Sequence, residues 1–123
     1  MKILFLGDIV GRAAREAVID ELPALRRDMD IDFVVVNGEN AAGGFGITET
    51  IANSLFDAGA DVITLGNHAW DQRETLTHID REQRLLRPAN FPANTPGKGA
   101  GLFTTEKGEQ VLIITVQGQL FME

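Results

Sequence analysis

The sequence predicts an α/β domain with a mainly parallel sheet and one antiparallel portion. Three short apolar runs, each followed by a polar turn that contains glycine, indicate buried strands at Lys2–Leu6, Asp32–Val36 and Asp61–Leu65. Segments with helical periodicity separate these runs, and alternation of strand and helix is typical of a parallel sheet. Two further runs near the carboxyl terminus are separated by a short polar turn, which indicates a hairpin.

The segment from Arg12 to Met29 has the apolar period of a helix. Its apolar residues follow one another at steps of four, four, three and four, and they are Ala14, Val18, Leu22, Leu25 and Met29. These steps place the side chains on one helical face, which we expect to face the core. Pro23 interrupts the segment, so we expect it to kink the helix or divide it in two.

A second helix is predicted after the glycine-rich stretch Gly38–Gly46. Thr48 is a typical N-cap, Glu49 lies in the first turn, where an acidic side chain is favourable, and Gly59 is a typical C-terminal stop. The predicted apolar face of this helix consists of Ile51, Leu55 and Phe56.

The rest of the chain predicts mainly exposed elements. The polar stretch Asp71–Arg84 indicates one or two short exposed helices, and we expect His78 within it to be solvated. The hairpin is predicted from Leu102–Thr105 and Gln110–Val116. Because Val111–Val116 is apolar on both faces, we expect it to lie at an exposed edge or to pair with another chain in a homo-oligomer. The last five residues have no pattern that assigns them.

Length and composition restrict the class of protein. The 123 residues suffice for one domain with a core, and contents of 44% hydrophobic and 24% charged residues are typical of a globular protein. A formal net charge of −7 argues against sequence-independent binding of duplex nucleic acid. No apolar run reaches the ~18 residues of a membrane helix, and no cysteine provides a disulfide or a thiolate metal site. We expect a cytoplasmic protein without a membrane partner.

Potential ligands cluster directly after each predicted parallel strand. They are Asp8 after the first strand, Glu39 and Asn40 after the second, and Asn67 and His68 after the third. In open α/β sheets, ligands bind beyond the carboxyl ends of the strands, so we expect these side chains to gather at one edge. A glycine precedes the first ligand of each cluster, which lets the chain turn sharply and leaves space beside the site.

Each of these features also has a purely structural interpretation. An aspartate after a strand is commonly a turn residue or a helix cap, and a histidine such as His68 is more often a hydrogen-bonded turn residue than a catalyst. Gly43–Gly46 lacks the lysine of a phosphate-binding P-loop, so flexibility alone would explain it. Trp70 is expected to be a packing anchor. The coincidence of three strand ends with three ligand-bearing turns nevertheless favours a functional site.

Carboxylate, amide and imidazole donors suit a divalent cation such as Mn²⁺ or Fe²⁺. A carboxylate that bridges can hold two such ions about 3.5–4 Å apart, close enough to share one hydroxide and one phosphate. Bound cations would also reconcile a chain of charge −7 with an anionic phosphate ester. A histidine beside the ions could donate a proton to the leaving alkoxide.

Four motifs resemble those of the YmdB-like metallophosphoesterases of the calcineurin-like superfamily. They are Gly7–Gly11 (GDIVG), Asn37–Gly46 (NGENAAGGFG), Gly66–Asp71 (GNHAWD) and Leu86–Asn90 (LRPAN). The second motif is highly specific, and the likeness extends over essentially the whole chain. The resemblance implies a four-layer metallophosphoesterase-like α/β sandwich and phosphodiesterase activity on 2′,3′-cyclic nucleotides. In some bacterial members it also implies a regulatory role.

The resemblance further implies roles for individual residues. The implied ligands are Asp8 and Asn40 for one metal, Glu39 as the bridge and Asn67 for the second metal, with His68 as general acid. The implied cofactor is a pair of divalent metal ions, iron or manganese.

One departure from the family pattern concerns histidine. The family completes its site with three histidines from a later portion of the chain, one isolated and two in a His-x-His pair. This sequence has only His68 and His78, and His78 matches none of the three. We therefore expect residues 1–123 to be the N-terminal portion of a single metallophosphoesterase domain without its remaining metal ligands. Weak or partial metal occupancy and little activity of this chain alone would follow.

Two other functions stay open on the sequence alone. A non-catalytic regulatory or interaction module could keep the fold without the chemistry, although the retained ligands argue against it. A doubly wound nucleotide-cofactor binder is disfavoured, because Gly7 and Gly11 do not form the G-x-G-x-x-G motif. Stoichiometric metal content would separate the hydrolase from the interaction module.

Overall fold

The computed structural model describes residues 1–118, which form one parallel sheet, one antiparallel hairpin and three helices. In chain order the elements are β1 (Ile3–Leu6), α1 (Gly11–Asp28), β2 (Phe33–Asn37), α2 (Glu49–Ala58), β3 (Val62–Thr64), α3 (Thr75–Arg81), β4 (Leu85–Leu86), β5 (Ala100–Thr104) and β6 (Gln110–Ile114). The last five residues of the sequence, which had no assignable pattern, lie outside the described part. Across the described residues, no helix combines the length and the apolar character needed to cross a lipid bilayer.

The first four strands form the parallel sheet, in the order β1-β2-β3-β4. Paired residues along it include Leu4 with Val34, Val36 with Ile63, and Thr64 with Leu86. The three predicted strands and their parallel direction are confirmed. The sequence did not predict β4, because the two residues Leu85–Leu86 are too few to show a period.

The interior strand β2 separates two hydrophobic clusters. Val34 and Val36 pack into the larger cluster, which includes the inward side chains of α1 and α2. Phe33 and Val35 point to the opposite face and belong to a smaller cluster with Leu86. Burial on both faces is the reason that this strand is an uninterrupted apolar run without alternation.

The hairpin predicted near the carboxyl terminus is confirmed, and it forms a sheet of its own. Val111 on its inner face joins the smaller cluster, and the ring centroids of Phe103 and Phe33 lie 5.9 Å apart. On the outer face Leu112 is 61% exposed and Ile114 is 57% exposed. The predicted apolar exposure is therefore found, whereas pairing with another chain stays a prediction.

Helix α1 passes through Pro23, so the segment is one helix and not two. Leu22 is fully buried, but Leu25 and Met29 are exposed, so the predicted apolar face is wrong in the last two turns. In those turns Arg26 makes the contact with the rest of the fold. Its guanidinium donates a hydrogen bond of 2.6 Å to the carbonyl of the residue that caps α2, and this polar contact replaces apolar packing.

Helix α2 has the predicted caps. Thr48 Oγ1 accepts a hydrogen bond of 3.2 Å from Ile51 N, and Gly59 ends the helix with a φ of 124°, which favours glycine. Leu55 and Phe56 on the predicted apolar face are buried. The beginning, the end and the orientation of this helix were therefore correctly predicted.

Helix α3 is less exposed than its composition suggested. Thr75, His78 and Ile79 are buried, and His78 is only 4% exposed, so the prediction of a solvated histidine is wrong. Thr75 Oγ1 donates to Ile47 O at 3.0 Å and thereby holds the helix against the core. Threonine and histidine count as polar in a sequence pattern, so the pattern did not show that these positions of the helix face the core. Trp70 does pack against the larger cluster, as predicted.

Candidate metal centre

The turns after β1, β2 and β3 meet at the carboxyl edge of the parallel sheet. Ile9 N donates to Asn37 O at 3.2 Å, which joins the first turn to the second. Gly38 N donates to Thr64 O at 3.0 Å, which joins the second to the third strand. The three turns that carry the predicted ligands therefore form one continuous rim.

At the first turn, Asp8 and Asn40 are in direct contact. Asn40 Nδ2 donates to Asp8 Oδ1 at 2.6 Å, although the two residues are 32 positions apart. Asp8 has a φ of 48°, in the left-handed region, where a residue with a Cβ is strained by roughly 1 kcal/mol or more. Asp30, in the turn after α1, has a similar φ of 53°, and aspartate is among the residues that adopt this region most often, so the conformation is also that of an ordinary turn residue.

Glu39 occupies the centre of the rim and is incompletely paired. Its Oε1 accepts a hydrogen bond of 3.3 Å from Asn37 Nδ2, whereas its Oε2 is buried and has no hydrogen-bond partner in residues 1–118. A Cβ on Gly66 would lie 2.6 Å from Oε1 and closer still to Oε2. Only glycine at position 66 leaves room for the carboxylate, which confirms the expectation that this glycine leaves space beside the site.

Sequence reasoning missed the part that Asn37 plays in orienting Glu39. Besides the contact with Oε1, Asn37 Oδ1 accepts a hydrogen bond of 3.4 Å from Glu39 N. An asparagine that accepts from the backbone two residues later forms an Asx-turn, so the spacing Asn-Gly-Glu was the available signal. The glutamate is thus fixed through both its backbone and its side chain.

The structure brings Asn67 to the rim but not into contact with the other predicted ligands. Asn67 directly follows Gly66, the position at which a Cβ would meet the carboxylate of Glu39. Its side chain is exposed and makes no hydrogen bond within the described part of the chain. Its amide oxygen is consequently available to a ligand.

His68 is hydrogen-bonded to Asp71, a residue to which the sequence had assigned no role. The distance between His68 Nδ1 and Asp71 Oδ2 is 2.6 Å, and each side chain is about one third exposed. The two residues are three apart in a turn, a spacing at which neighbouring side chains meet. That spacing was the signal in the sequence.

The glycine-rich loop after Asn40 is folded against the His68 turn. Gly44 N donates to Asn40 O and Ala42 N donates to Gly46 O, both at 2.8 Å. Gly46 is buried with a φ of 77°, and a Cβ there would lie 2.8 Å from His68 O. The loop therefore has a defined conformation, and flexibility alone does not explain its glycines.

The LRPAN motif stabilises the loops that follow β4. The buried Arg87 guanidinium donates to the carbonyl oxygens of Thr95, Pro96 and Gly97 at 3.3–3.4 Å. Asn90 binds the backbone of Gln117, with Asn90 Nδ2 donating at 2.7 Å and Gln117 N donating back at 2.9 Å. The motif fixes the chain that links β4 to the hairpin.

The donors at the rim fit a divalent cation that prefers oxygen ligands. No lysine or arginine in residues 1–118 forms an ion pair with Asp8 or Glu39. A buried carboxylate oxygen without a partner is unfavourable, and a cation would stabilise it. The same residues contain no group of three or more His, Cys, Asp or Glu side chains that could hold a metal ion. Besides these carboxylates, the rim offers the amide oxygens of Asn40 and Asn67 as possible donors to a cation.

Known proteins resemble this chain closely in sequence and in structure. It is 46% identical over 122 residues to a 2′,3′-cyclic-nucleotide 2′-phosphodiesterase of Bacillus subtilis (strain 168), a match that covers 99% of this chain and 46% of that protein. The crystal structure of a hypothetical protein from Thermus thermophilus has a TM-score of 0.92 at 39% identity, covering 100% of this chain and 47% of that one. The crystal structure of a novel phosphatase from Mycoplasma pneumoniae has a TM-score of 0.86 at 32% identity, covering 97% and 43% respectively.

These comparisons confirm the predicted fold class, an α/β sandwich of the metallophosphoesterase type with a mainly parallel sheet and a hairpin. The chain spans less than half the length of each of the three proteins. The YmdB-like protein family matches residues 4–123, which is nearly the whole sequence. On this match, and with the resemblance of its three rim motifs, the chain belongs to the YmdB-like protein family.

Proposed function

We propose that this chain supplies one part of the metal centre of a phosphodiesterase. In this proposal Asp8, Glu39, Asn40 and Asn67 hold divalent cations, iron or manganese, and His68 is the general acid. The observation that carries the proposal is the buried Oε2 of Glu39, which has no hydrogen-bond partner in residues 1–118. In a protein that serves only as an interaction module, a neutral side chain at this position would give a more stable fold than a buried carboxylate oxygen without a partner.

In this proposal each residue of the rim has its own role. Glu39 has one oxygen held by Asn37 and one without a partner, so it is open to a cation, and the bridging role that we assign to it follows the family resemblance. Asn40 fixes Asp8 by a hydrogen bond from its amide nitrogen, which leaves its amide oxygen free to accept a cation. Two bound cations would supply a hydroxide at neutral pH and neutralise the charge of the phosphate. His68 would donate a proton to the oxygen of the leaving alcohol.

A cyclic nucleotide is the substrate class that we propose. The name of the B. subtilis relative, a 2′,3′-cyclic-nucleotide 2′-phosphodiesterase, supports this choice at 46% identity. Opening a cyclic phosphodiester releases a ribose alkoxide, which is a poor leaving group and requires a proton donor such as His68. A cytoplasmic location, where such nucleotides occur, is part of the same proposal.

We further propose that residues 1–123 bind metal weakly and hydrolyse little by themselves. Four side chains provide too few donors to close the shells of two ions that prefer about six ligands each. The relatives contain more than twice the matched length, which leaves room for further ligands in them.

Manganese binding tests the proposal directly. The chain is stripped with a chelator, and Mn²⁺ binding is measured by calorimetry and by elemental analysis for the parent, Glu39→Gln and Glu106→Gln. Glu106 is an exposed residue of the hairpin turn, so its variant is a control for the loss of one negative charge. We expect Glu39→Gln to weaken Mn²⁺ binding by at least about tenfold, because loss of a direct ligand exceeds the effect of an indirect contact. Equal binding by the two variants would refute a metal centre at this rim.

Hydrolysis of 2′,3′-cyclic AMP and of an aryl phosphodiester with added Mn²⁺ tests the proposal that residues 1–123 have little activity by themselves. We expect little or no turnover by residues 1–123. Turnover that disappears in Asn67→Ala or His68→Ala would support the assignment of the site and contradict the proposal that this stretch is insufficient alone.

A further inference from the structure

We propose that Asp71 is the positioning residue of His68, since it accepts a hydrogen bond from Nδ1 and thereby leaves Nε2 as the nitrogen that meets the substrate. The catalytic meaning of this inference rests on the function proposed above. Both partners of the hydrogen bond lie in this chain, so the hydrogen bond can be tested without an activity assay.

The geometry assigns the proton of the histidine ring. A carboxylate has only acceptor oxygens, so a hydrogen bond of 2.6 Å between Asp71 Oδ2 and His68 Nδ1 requires the hydrogen to lie on Nδ1. In the neutral ring Nε2 then carries the lone pair, and in the charged ring Nε2 carries the transferable proton. The nitrogen remote from Asp71 is thus the one that exchanges protons with a substrate.

The turn that carries the pair is fixed from two sides. Asp71 N donates to His68 O at 3.2 Å, which closes the turn over the ring. Gly46 packs against the other side, where a Cβ would lie 2.8 Å from His68 O and 3.3 Å from Asp71 Cβ. Gln72 Nε2 donates to Phe45 O at 2.7 Å and ties the same loop to the turn. The glycine-rich loop therefore packs against the turn and helps to keep the side chains of His68 and Asp71 within hydrogen-bonding distance.

Asp71 has no competing ionic task in the described part of the chain. Its side chain contacts His68 there and forms no ion pair with lysine or arginine, including its neighbour in sequence, Arg73. Both side chains are about one third exposed, so the pair lies at the surface of the rim and not in the core. A carboxylate placed in this way fixes the tautomer and the direction of an imidazole, as the second partner of a catalytic histidine commonly does.

The ring nitrogens of histidine can be observed directly by two-bond ¹H–¹⁵N correlation spectra. The chain has only two histidines, so each spectrum contains two ring systems, and the buried His78 serves as an internal reference for the fold. Spectra of the metal-free parent, Asp71→Ala and Asp71→Asn are recorded at a pH at which the rings are neutral. The exposed aspartate of α2, Asp57, provides the matched control Asp57→Ala.

In the parent we expect His68 to favour the Nδ1–H tautomer by at least about tenfold, because a charge-assisted hydrogen bond outweighs the modest preference of a free ring for Nε2–H. Asp71→Ala should return His68 to the Nε2–H form, and Asp71→Asn, which keeps an acceptor oxygen, should restore part of the Nδ1–H population. His78 should not change in any variant. An Nε2–H tautomer in the parent, or an unchanged tautomer in Asp71→Ala with His78 undisturbed, would overturn the inference.

Manganese binding separates this inference from the proposed function. Asp71→Ala should retain Mn²⁺ binding, since Asp71 is not a proposed ligand, whereas Glu39→Gln should lose Mn²⁺ binding and keep the parent tautomer of His68. Loss of binding in Glu39→Gln together with an unaltered His68 in Asp71→Ala would reject the positioning role alone. The reverse pattern would reject the metal centre and leave the positioning of His68 intact.

Discussion

Acidic side chains lie at both ends of the parallel sheet, but their surroundings differ between the two ends. At the amino ends of the strands, Asp32 precedes β2 and Asp61 precedes β3; at the carboxyl ends, Asp8 follows β1 and Glu39 follows β2. The carboxylates at the amino ends are saturated by donors from the chain. Those at the carboxyl ends have amide neighbours and, within residues 1–118, no cationic partner.

Asp61 illustrates the saturated end. Its Oδ2 accepts from Arg26 Nη1 at 2.7 Å and from Val34 N at 2.8 Å, so one carboxylate joins α1, β2 and β3. Asp32 is similar, because it accepts from the backbone N–H of Lys2 at 2.7 Å and pairs with Lys107 Nζ at 2.9 Å. An acidic residue beside a strand therefore stabilises the fold where several donors surround it, and it is available to a ligand where they do not.

The largest effect is expected from Asp61→Ala, which removes a carboxylate from the saturated end. Val34 N and the Arg26 guanidinium would lose a shared acceptor, so the free energy of unfolding should fall by about 2 kcal/mol. Urea denaturation followed by the fluorescence of Trp70, the single tryptophan, measures it. Asp20→Ala, at an exposed position of α1, should change the value by less than about 0.5 kcal/mol. If the two variants lowered the free energy of unfolding equally, the contacts of Asp61 would not stabilise the fold as we infer.

Glu39→Gln should have a smaller effect of opposite sign in the metal-free chain. The substitution replaces a carboxylate whose Oε2 is buried without a partner by a neutral amide, so the free energy of unfolding should rise by roughly 1 kcal/mol. The same denaturation experiment, with Glu106→Gln as the control for charge, checks this. A marked loss of stability in Glu39→Gln would mean that the carboxylate is a structural group after all.

The smallest expected effect concerns pH and Asp32. The hydrogen bond from the backbone of Lys2 and then the ammonium of Lys107 hold the pKa of Asp32 below its ordinary value. A carboxyl group whose pKa is lower in the folded than in the unfolded chain contributes stability above the unfolded pKa of about 3.9, and the contribution is lost as the pH falls through the folded pKa. Stability of the parent should therefore decline with acid below about pH 4, and Asp32→Asn should show a shallower decline.

Denaturation midpoints between about pH 5 and pH 2 test this, with Asp20→Asn as the control variant. Asp20 is exposed on α1, so its variant should follow the parent. Parallel curves for the parent and Asp32→Asn would show that the contacts of Asp32 at this end do not stabilise the fold.

The sequence predicted those parts of the fold that local patterns encode. The apolar runs before Gly7, Gly38 and Gly66 predicted three parallel strands, and Thr48 and Gly59 predicted the limits of α2. It also predicted that the turns after those strands meet, because parallel strands place their carboxyl ends on one edge. The metal-binding roles of the residues in those turns stay predictions.

Local patterns did not predict contacts between distant segments. Arg26 in place of Leu25 makes the inward contact at the end of α1, because its guanidinium reaches the end of α2. The buried face of α3 was hidden, since Thr75 and His78 count as polar until their partners are known. The close packing of the glycine-rich loop against the turn of His68 and Asp71, where a Cβ on Gly46 would lie 2.8 Å from His68 O, was likewise not visible in the sequence.

The strands, the helix caps and the order of carboxylate, amide and imidazole groups along the chain follow from the sequence, because they depend on steric and hydrogen-bonding preferences of neighbouring residues. Which acidic groups have a compensating partner depends instead on contacts between distant segments of the folded chain. Asp61 is paired and Oε2 of Glu39 is not, because folding brings the cationic side chains of Arg26 and Lys107 to the amino end of the sheet, whereas the hydrogen bonds to Asp8 and Glu39 at the carboxyl end come from amide groups.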